Sequence, residues 1–200
     1  MSKSWTMDRK KDYYYKMAKE DNYRSRAAYK LFQMDERFKL FRPGDCVIDL
    51  GANPGGWSQV ASELVGESGM VISLDIKPIE PIPGVKILKG DARSILTKSQ
   101  VKELLAGKKA YIILSDMAPN ISGNYSMDHA RSIELAEMSL EYAKLFLKPG
   151  GSLAVKVFDG DMARDFFIKL QKNFRTVKRY NPKASRKSSS EIYYVAKGFK

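Results

Sequence analysis

A glycine-rich loop directly follows the first buried strand that the sequence predicts. The apolar run Cys46–Leu50 has the length of a strand, and Gly-Ala-Asn-Pro-Gly-Gly occupies residues 51–56. Glycines at the carboxyl end of a strand allow a tight turn and a close approach of the backbone to a ligand. The Gly-x-Gly-x-x-Gly spacing of dinucleotide sites is absent, and Pro54 removes an amide that would hold a pyrophosphate. A P-loop is excluded because no Gly-Lys-Ser/Thr follows.

Two acids end the next two predicted strands. Asp75 closes the run at residues 70–75, where a carboxylate can accept hydrogen bonds from ribose hydroxyls. Asp91 closes the run at residues 85–91, where a carboxylate can accept a hydrogen bond from an adenine amino group. Each acid alone is explained as well by a turn or a helix cap. Together with the loop, the acids predict a nucleoside cofactor without a diphosphate, for which S-adenosylmethionine is the obvious candidate.

Two further charged residues lie on the central strands that follow. Asp116 ends the predicted strand at residues 110–116, and Lys156 interrupts the apolar run at residues 152–158. A charge inside a buried strand is costly unless it has a partner or a function. The residues alone leave two interpretations open, a structural ion pair and a part of an active site.

Strands and helices alternate along the chain. Helical patterns cover residues 25–40, 57–65, 97–106, 128–147 and 161–172. Predicted strands cover residues 46–50, 70–75, 85–91, 110–116, 152–158, 175–180 and 191–196. This alternation predicts an α/β fold with a mostly parallel sheet. Because no helix separates the last two strands, we expect them to form an antiparallel hairpin at one edge.

Positive charge is concentrated at the two ends of the chain. The formal net charge is +12, with 35 Lys and Arg against 23 Asp and Glu. Residues 1–30 hold nine basic and four acidic side chains, and residues 169–200 hold ten basic and one acidic. Two segregated basic ends point to a polyanion, nucleic acid or an anionic membrane surface, and favour nucleic acid over lysines that only aid solubility. Aromatic residues in the first end can stack on bases or pack onto the body of the protein.

Length and composition limit the classes of protein and of site. A chain of 200 residues with 44% hydrophobic residues predicts one globular domain, placed at residues 23–200 after a basic N-terminal arm at residues 1–22. The single cysteine, Cys46, and the single histidine, His129, argue against disulfides and against metal sites built on these residues, so we expect no metal. No apolar run has the length of a membrane span and none follows Met1 as a signal peptide. We therefore expect a monomeric cytoplasmic protein without a membrane partner.

Four motifs resemble those of one family. They are Asp-Leu-Gly-Ala-Asn-Pro-Gly-Gly-Trp-Ser-Gln at residues 49–59, Ser-Asp-Met-Ala-Pro-Asn at 115–120, Leu-Lys-Pro-Gly-Gly at 147–151 and Ser-Ser-Ser-Glu-Ile-Tyr-Tyr-Val-Ala at 188–196. They resemble the motifs of the FtsJ-type (RlmE) ribosomal-RNA 2′-O-methyltransferases, and the likeness runs from about Tyr23 to the C-terminus. The resemblance implies a Rossmann-like methyltransferase fold with a mostly parallel seven-stranded sheet, S-adenosylmethionine as cofactor, and methylation of the 2′-hydroxyl of a uridine in large-subunit rRNA. Asn53 departs mildly from the pattern, in which a small residue such as alanine is expected.

The resemblance also assigns site residues by motif position. It implies that the cofactor is bound by Gly55, Trp57, Asp75, Asp91 and Asp116. It implies a catalytic set of Lys30, Asp116, Lys156 and Glu191. Without the resemblance, the preferred interpretation of Lys30 is a solvated helix residue and that of Glu191 is the exposed start of a strand.

These residue types suit the transfer of a methyl group to a ribose. A 2′-hydroxyl is a poor nucleophile until a base takes its proton, and the sulfonium carries its own activation, so the reaction needs no metal. Lys156 is the candidate base, held by Asp116, while Lys30 and Glu191 orient the ribose or share the proton. A lysine accepts a proton only when it is neutral. Lys30 and the sulfonium lower the pKa of Lys156 and the two carboxylates raise it, so the sequence leaves the balance open.

The sequence therefore predicts an S-adenosylmethionine-dependent RNA 2′-O-methyltransferase that acts on a uridine of large-subunit rRNA, free or in a ribosomal subunit. A tRNA 2′-O-methyltransferase of the same superfamily is the nearest alternative. A non-catalytic RNA-binding assembly factor with the same fold is the alternative from another class, and the intact charged set argues against it. The basic ends and the absence of an inserted substrate cap argue against a small-molecule methyltransferase.

Overall fold

The computed structural model describes residues 13–186 and 190–200. The helices in this part of the chain are α1 (Tyr13–Glu20), α2 (Ala28–Phe38), α3 (Gly56–Val65), α4 (Ile95–Leu105), α5 (Tyr125–Phe146) and α6 (Asp161–Asn173). The strands are β1 (Cys46–Leu50), β2 (Met70–Asp75), β3 (Val85–Lys89), β4 (Ala110–Ser115), β5 (Leu147–Phe158), β6 (Phe174–Tyr180) and β7 (Glu191–Phe199). Over these residues, no helix combines the length and the apolar character that a membrane span requires.

One seven-stranded sheet contains all of these strands, in the order β3-β2-β1-β4-β5-β7-β6. The neighbouring pairs among β1 to β5 are parallel. β7 lies between β5 and β6 and is antiparallel to both. The predicted α/β class and the antiparallel pairing of the last two strands are confirmed. The sequence alone does not show that β7, rather than β6, pairs with β5.

Two hydrophobic cores lie on opposite faces of the sheet. Ile48 and Ile113 pack with residues of α4, α5 and α6, whereas Val47 and Ile112 pack with residues of α2 and α3. Successive side chains of a strand point to opposite faces, so each central strand contributes to both cores. All five residues of β1 are accordingly buried, as expected for a strand inside a parallel sheet covered on both sides.

The second half of the predicted N-terminal arm is helical and packs on the domain. Ala18 of α1 is buried in a cluster with Tyr29 of α2 and Ala184 of the loop that precedes β7. The ring of Tyr14 lies 5.6 Å from that of Tyr29, centroid to centroid. The tyrosines at this end therefore include some that pack onto the body of the protein. The first half of the arm, residues 1–12, lies outside the described residues.

The start of α5 differs from the predicted boundary. The periodic pattern suggested a start near Asp128, but the helix begins at Tyr125. The Oδ1 atom of Asn124 accepts a hydrogen bond from the Met127 N–H at 3.1 Å. This side-chain cap satisfies one of the unpaired N–H groups of the first turn and sets the helix start. Tyr125 therefore stands on the first turn of a long helix, close to the loop that follows β4.

Candidate active site

The four residues of the predicted catalytic set meet at the carboxyl edge of the sheet. Asp116 follows β4, and Lys156 lies near the end of the neighbouring β5. β7 runs in the opposite direction, so its first residue, Glu191, reaches the same edge. Lys30 comes from α2, which covers one face of the sheet.

The period of the strands places these side chains on one face. Lys156 pairs with Tyr193 across the antiparallel β5 and β7. Glu191 precedes Tyr193 by two residues and therefore shares its face. Directly opposed and diagonal side chains of an antiparallel pair are neighbours. The lysine that interrupts the apolar run of β5 thus points to the side from which α2 supplies Lys30.

The cluster is a chain of four charges that alternate in sign. The Nζ atom of Lys156 donates to the Asp116 main-chain oxygen at 2.6 Å and lies 3.1 Å from Asp116 Oδ1. The same Nζ atom lies 3.6 Å from Glu191 Oε1. The other carboxylate oxygen of Glu191, Oε2, lies 3.1 Å from Lys30 Nζ. The lysine side chains are largely buried, with 5% of Lys156 and 10% of Lys30 exposed.

Tyr193 closes this chain into a network and was missed by the sequence analysis. Its hydroxyl accepts a hydrogen bond from Lys30 Nζ at 2.9 Å and donates one to Asp116 Oδ1 at 2.6 Å. The residue is fully buried. The available signal was the period of β7, since Tyr193 must share a face with Glu191. Tyr193 links the two ends of the charged chain and restricts the positions of Lys30 and Asp116.

The electrostatics of the cluster favour the charged form of each carboxylate. Burial raises the pKa of Asp116, but Lys156 and Lys30 outweigh it and the pKa lies below its ordinary value. Burial also raises the pKa of Glu191, but Lys156 and Lys30 outweigh this effect, so that pKa lies below its ordinary value. Both groups are therefore ionised at neutral pH.

The same balance settles the question that the sequence left open for Lys156. Burial lowers the pKa of Lys156, but Asp116 and Glu191 outweigh it, so the pKa lies above the ordinary lysine value. Lys156 is therefore protonated at neutral pH in the protein without ligands. A cationic neighbour that shifts this balance would have to come from a bound molecule.

A cavity of about 670 Å³ opens beside the cluster, and we call it the candidate cofactor cavity. Three of the predicted cofactor residues line it, Asp75, Asp91 and Asp116. The Asp75 carboxylate accepts the N–H groups of Asn53 at 2.9 Å and Lys77 at 2.7 Å, which hold it at the end of β2. A carboxylate has about four acceptor sites, so two sites remain for ligand hydroxyls.

Two observations bear on the kind of ligand that the candidate cofactor cavity would hold. Gly51 lines the cavity at φ +71°, and a Cβ there would lie 2.3 Å from Met117 Cγ, so any side chain would intrude. Asp49, two residues before Gly51 in the chain, is buried, and its Oδ1 atom makes no hydrogen bond to the described residues. Burial raises the pKa of Asp49 to about 7, with Asp116 and Asp75 contributing in the same direction. Several carboxyl groups close to one cavity favour a cationic ligand.

The other two predicted cofactor residues do not line this cavity. Trp57 is buried, donates from its ring Nε1 to the Ala27 main-chain oxygen at 2.7 Å, and packs against Tyr193. A Cβ at Gly55 would contact Ile82 and Arg24. The side chain of Trp57 therefore holds α2 against α3, and cofactor contacts from these two residues would have to come from their backbone.

A second cavity, of about 630 Å³, opens on the other side of the charged chain, and we call it the arginine cavity. Lys30 and Glu191 line it, as do Arg26 of the segment before α2 and Arg186 of the loop before β7. The guanidinium of Arg26 donates to the Ala184 main-chain oxygen, which attaches the loop before β7 to the segment before α2. Arginine side chains at a cavity that ends in ionised groups suit a phosphate-bearing ligand.

Known proteins resemble this chain over most of its length. The FtsJ-like methyltransferase family matches residues 23–199. A Methanosarcina mazei protein named ribosomal RNA large subunit methyltransferase E is 50% identical over 190 residues, which are 95% of this chain and 70% of the relative. A Chromobacterium violaceum protein of the same name is 45% identical over 197 residues, which are 98% of this chain and 96% of the relative.

A solved structure has the same architecture. A Plasmodium falciparum chain named as a ribosomal RNA methyltransferase superposes with a TM-score of 0.79 at 32% identity, covering 88% of this chain and 98% of the other. The family match spans the candidate cofactor cavity, the charged chain and the arginine cavity. The chain therefore belongs to the FtsJ-like methyltransferase family.

Proposed function

We propose that this protein is an S-adenosylmethionine-dependent 2′-O-methyltransferase that acts on a uridine of large-subunit rRNA. One observation carries the proposal: the chain of Asp116, Lys156, Glu191 and Lys30 connects two cavities. Asp116 lines the candidate cofactor cavity, whereas Lys30 and Glu191 line the arginine cavity. A methyl donor in the first cavity and a nucleotide in the second would meet at Lys156.

The candidate cofactor cavity would hold S-adenosylmethionine through the strand-end acids. Asp75 would accept the ribose hydroxyls, and Asp91 would accept the adenine amino group. Asp116 would border the sulfonium end, since it lies both in this cavity and beside Lys156. When bound, the cofactor supplies a methyl group that is activated by the positive sulfur.

Lys156 would take the proton of the 2′-hydroxyl. Its Nζ atom lies between the carboxylate of Asp116, which lines the candidate cofactor cavity, and the carboxylate of Glu191, which lines the arginine cavity. Because the pKa of Lys156 is raised in the protein without ligands, Lys156 must lose its own proton before it can accept another. A second cation in the cofactor cavity would lower that pKa.

Lys30 and Glu191 would orient the ribose in the arginine cavity. They form an ion pair of 3.1 Å on the side of the cluster that faces this cavity. Tyr193 would act as a positioning residue, because it is buried and bonds to both Lys30 and Asp116. Methyl transfer requires the 2′-oxygen, the methyl carbon and the sulfur to be in line, so orienting the nucleophile and the base supplies much of the rate acceleration.

The names of the two relatives and the charge of the chain support large-subunit rRNA as the substrate. Both relatives are named for methylation of large-subunit rRNA. The formal net charge of +12 suits a polyanionic substrate. We propose that the protein acts in the cytoplasm, where large-subunit rRNA is available.

The test is methyl transfer to defined RNA pools. Large-subunit rRNA, isolated ribosomal subunits and tRNA would be prepared from cells that lack this gene, and incubated with the protein and labelled S-adenosylmethionine. We expect one 2′-O-methyluridine in large-subunit rRNA, mapped by resistance of the adjacent bond to alkali. Label only in tRNA would overturn the rRNA assignment, and no label in any pool would overturn the proposed activity.

A further inference from the structure

The arginine cavity has one wall that the catalytic set does not explain. Its lining includes Lys30 and Glu191 of the catalytic set and two arginines. The remaining wall contains Tyr125, on the first turn of α5. The cavity volume of about 630 Å³ falls within the range of roughly 300–1,000 Å³ of pockets that enclose small organic ligands. A nucleotide has such a size.

The ring of Tyr125 is exposed but is held in place. The residue is 62% exposed. Its hydroxyl donates to the Asp159 main-chain oxygen at 2.7 Å. Its ring lies parallel to that of His129, with 7° between the planes and 6.0 Å between the centroids. An aromatic side chain fixed in this way presents a flat surface without losing further conformational entropy when a ligand binds.

His129 is the support of this surface. It is buried, and its Nε2 atom accepts a hydrogen bond from the Met162 N–H at the start of α6, at 3.2 Å. Gly160 allows the close approach, since a Cβ there would lie 2.7 Å from His129 Cε1 and 2.8 Å from the Tyr125 hydroxyl. The rings of Tyr125 and His129 are therefore packed against the backbone at Gly160, which restricts their motion.

The same backbone connects Tyr125 to the catalytic set. The Asp159 N–H donates to the Ser190 main-chain oxygen at 2.9 Å, and Ser190 directly precedes Glu191. Asp159 thus bonds to Tyr125 through its oxygen and to the start of β7 through its nitrogen. This arrangement fixes the ring relative to the carboxylate of Glu191.

Two lining residues of the cavity, Arg26 and Arg186, carry positive charge. Burial lowers the pKa of Arg26 and the charge of Arg186 lowers it further, while the charge of Glu191 acts in the opposite direction, so the two guanidinium groups and this carboxylate interact electrostatically. Two guanidinium groups in one cavity lining repel each other, and an anion bound between them reduces that repulsion. A phosphate at the two arginines and a planar group at Tyr125 are the two ends of a nucleotide.

We propose that Tyr125, supported by His129, is the stacking platform for the base of the RNA nucleotide whose ribose lies at Lys30 and Glu191. The inference rests on the proposed function and adds to it the residue that holds the target base. A single aromatic face accepts any base, so the platform holds the nucleotide and does not select uridine.

The test compares Tyr125→Ala with Tyr125→Phe in methyl transfer to large-subunit rRNA from cells that lack the gene. Stacking on one aromatic side chain corresponds to a roughly 5- to 150-fold change, so we expect the alanine variant to raise KM for RNA by that factor. The phenylalanine variant keeps the ring and should stay within about threefold of wild type. Tyr111→Ala is the control. It removes a tyrosine that contacts Arg42 and Lys148 near the start of β4, away from the carboxyl edge of the sheet.

A second measurement changes the RNA and identifies the stacked base. In a short RNA that contains the mapped methylation site, the target base is removed while its ribose is kept. Wild-type protein should lose affinity for this RNA by the factor seen with Tyr125→Ala, and the variant should lose little more, as a double-mutant cycle requires for one shared contact. If removal of a neighbouring base, and not of the target base, caused this loss of affinity, the assignment of Tyr125 to the target base would be overturned.

The remaining outcomes separate this proposal from the proposed function. Methyl transfer by wild type with an unchanged KM in Tyr125→Ala overturns the platform alone. Absence of methyl transfer by wild type overturns both proposals. Tyr125→Ala should keep the wild-type affinity for S-adenosylmethionine, because Tyr125 lines only the arginine cavity, and a loss of that affinity would overturn the assignment of Tyr125 to the RNA alone.

Discussion

Lys156 and Asp116 are joined twice, by a hydrogen bond from Lys156 Nζ to the Asp116 main-chain oxygen at 2.6 Å and by an ion pair of 3.1 Å to its carboxylate. The main-chain bond holds the ammonium at the end of β4 whether or not the carboxylate is ionised. The geometry of the lysine is therefore partly independent of its charge. A base can change its protonation state without leaving its position when one of its bonds is to a backbone carbonyl.

Lys156→Arg is the sharpest test of Lys156 as the base. Arginine keeps the positive charge between Asp116 and Glu191 but does not release its proton at any working pH. General-base catalysis typically contributes about 10²–10⁴-fold, so we expect kcat to fall by at least that order, with Lys156→Ala similar or worse. The measurement is single-turnover methyl transfer with labelled S-adenosylmethionine. Calorimetry should give the wild-type affinity for the cofactor.

The matched control is Lys98→Arg, which makes the same chemical change on α4. Lys98 pairs with Glu141 at 3.3 Å on the surface and should tolerate the exchange with unchanged turnover. If Lys156→Arg turned over as fast as Lys98→Arg, the base assignment would be wrong and Lys30 would become the next candidate.

The pH dependence of the rate follows from the raised pKa of Lys156. The carboxylates of Asp116 and Glu191 keep the lysine protonated, and only its neutral form accepts a proton. Because the group titrates above its ordinary value in the protein without ligands, kcat/KM for S-adenosylmethionine should rise about tenfold per pH unit from pH 7 to 9 without a plateau. The apparent pKa belongs to the coupled cluster. A plateau below pH 9 would show that the free enzyme holds a neutral base.

Most of the fold and the charged part of the site could be predicted from the sequence, for identifiable reasons. Strand ends are visible in the sequence because short apolar runs stop at Asp75, Asp91 and Asp116. In a parallel sheet those ends meet at one edge. Lys156 was visible because it breaks an apolar run, which is costly unless the charge is partnered.

The contacts that depend on packing between distant segments could not be predicted. Alternation along β7 places Tyr193, and not Tyr194, on the face of Glu191, but only the register of β7 on β5 shows that Tyr193 lies opposite Lys156. The stack of Tyr125 on His129 depends on Asn124 starting α5 three residues earlier than the periodic pattern suggests. These two contacts depend on strand register and on helix capping. The periodicity of apolar residues carries no information about either.

Asp91→Ala tests the candidate cofactor cavity. Asp91 lines this cavity at the end of β3, and its carboxylate is the proposed acceptor for the adenine amino group. Loss of a hydrogen bond to a buried ligand group costs about 1–3 kcal/mol, so the S-adenosylmethionine Kd should rise roughly 5- to 150-fold. Isothermal titration calorimetry measures the change. Asp165→Ala removes an exposed carboxylate from α6 and should leave Kd unchanged; equal effects of the two variants would contradict the assignment.

The loop before β7 is predicted to contact RNA phosphates. Lys183 and Arg186 lie in the described part of this loop, and Lys187 lies outside the described residues. Replacing all three with alanine should weaken RNA binding and flatten the slope of log K against log salt, by up to about one unit per lost contact. Fluorescence anisotropy at several salt concentrations measures the slope.

The control for the loop variant removes the same charge elsewhere. Lys102 and Lys108 lie at the end of α4 and just after it, and Lys144 lies in the last turn of α5. Alanine at these three positions should leave the salt slope at its wild-type value, and both triple variants should keep the wild-type affinity for S-adenosylmethionine. If the loop variant also kept the wild-type salt slope, the loop would not touch phosphate.

Asp49→Asn should change how stability depends on pH. Burial raises the pKa of Asp49 from 3.8 to about 7, so between these values the folded chain binds a proton that the unfolded chain has released. Its contribution to the free energy of unfolding is therefore full below pH 4, falls as pH rises to about 7, and is constant above that. The total loss is on the order of a few kcal/mol. Asparagine does not titrate, so the difference in melting temperature between Asp49→Asn and wild type, measured without cofactor, should shift in favour of the variant from pH 4 to 7 and then level off. A difference in melting temperature that does not change with pH would show that Asp49 is ionised throughout this range. The Oδ1 atom of Asp49 would then be hydrogen-bonded to a group outside the described contacts.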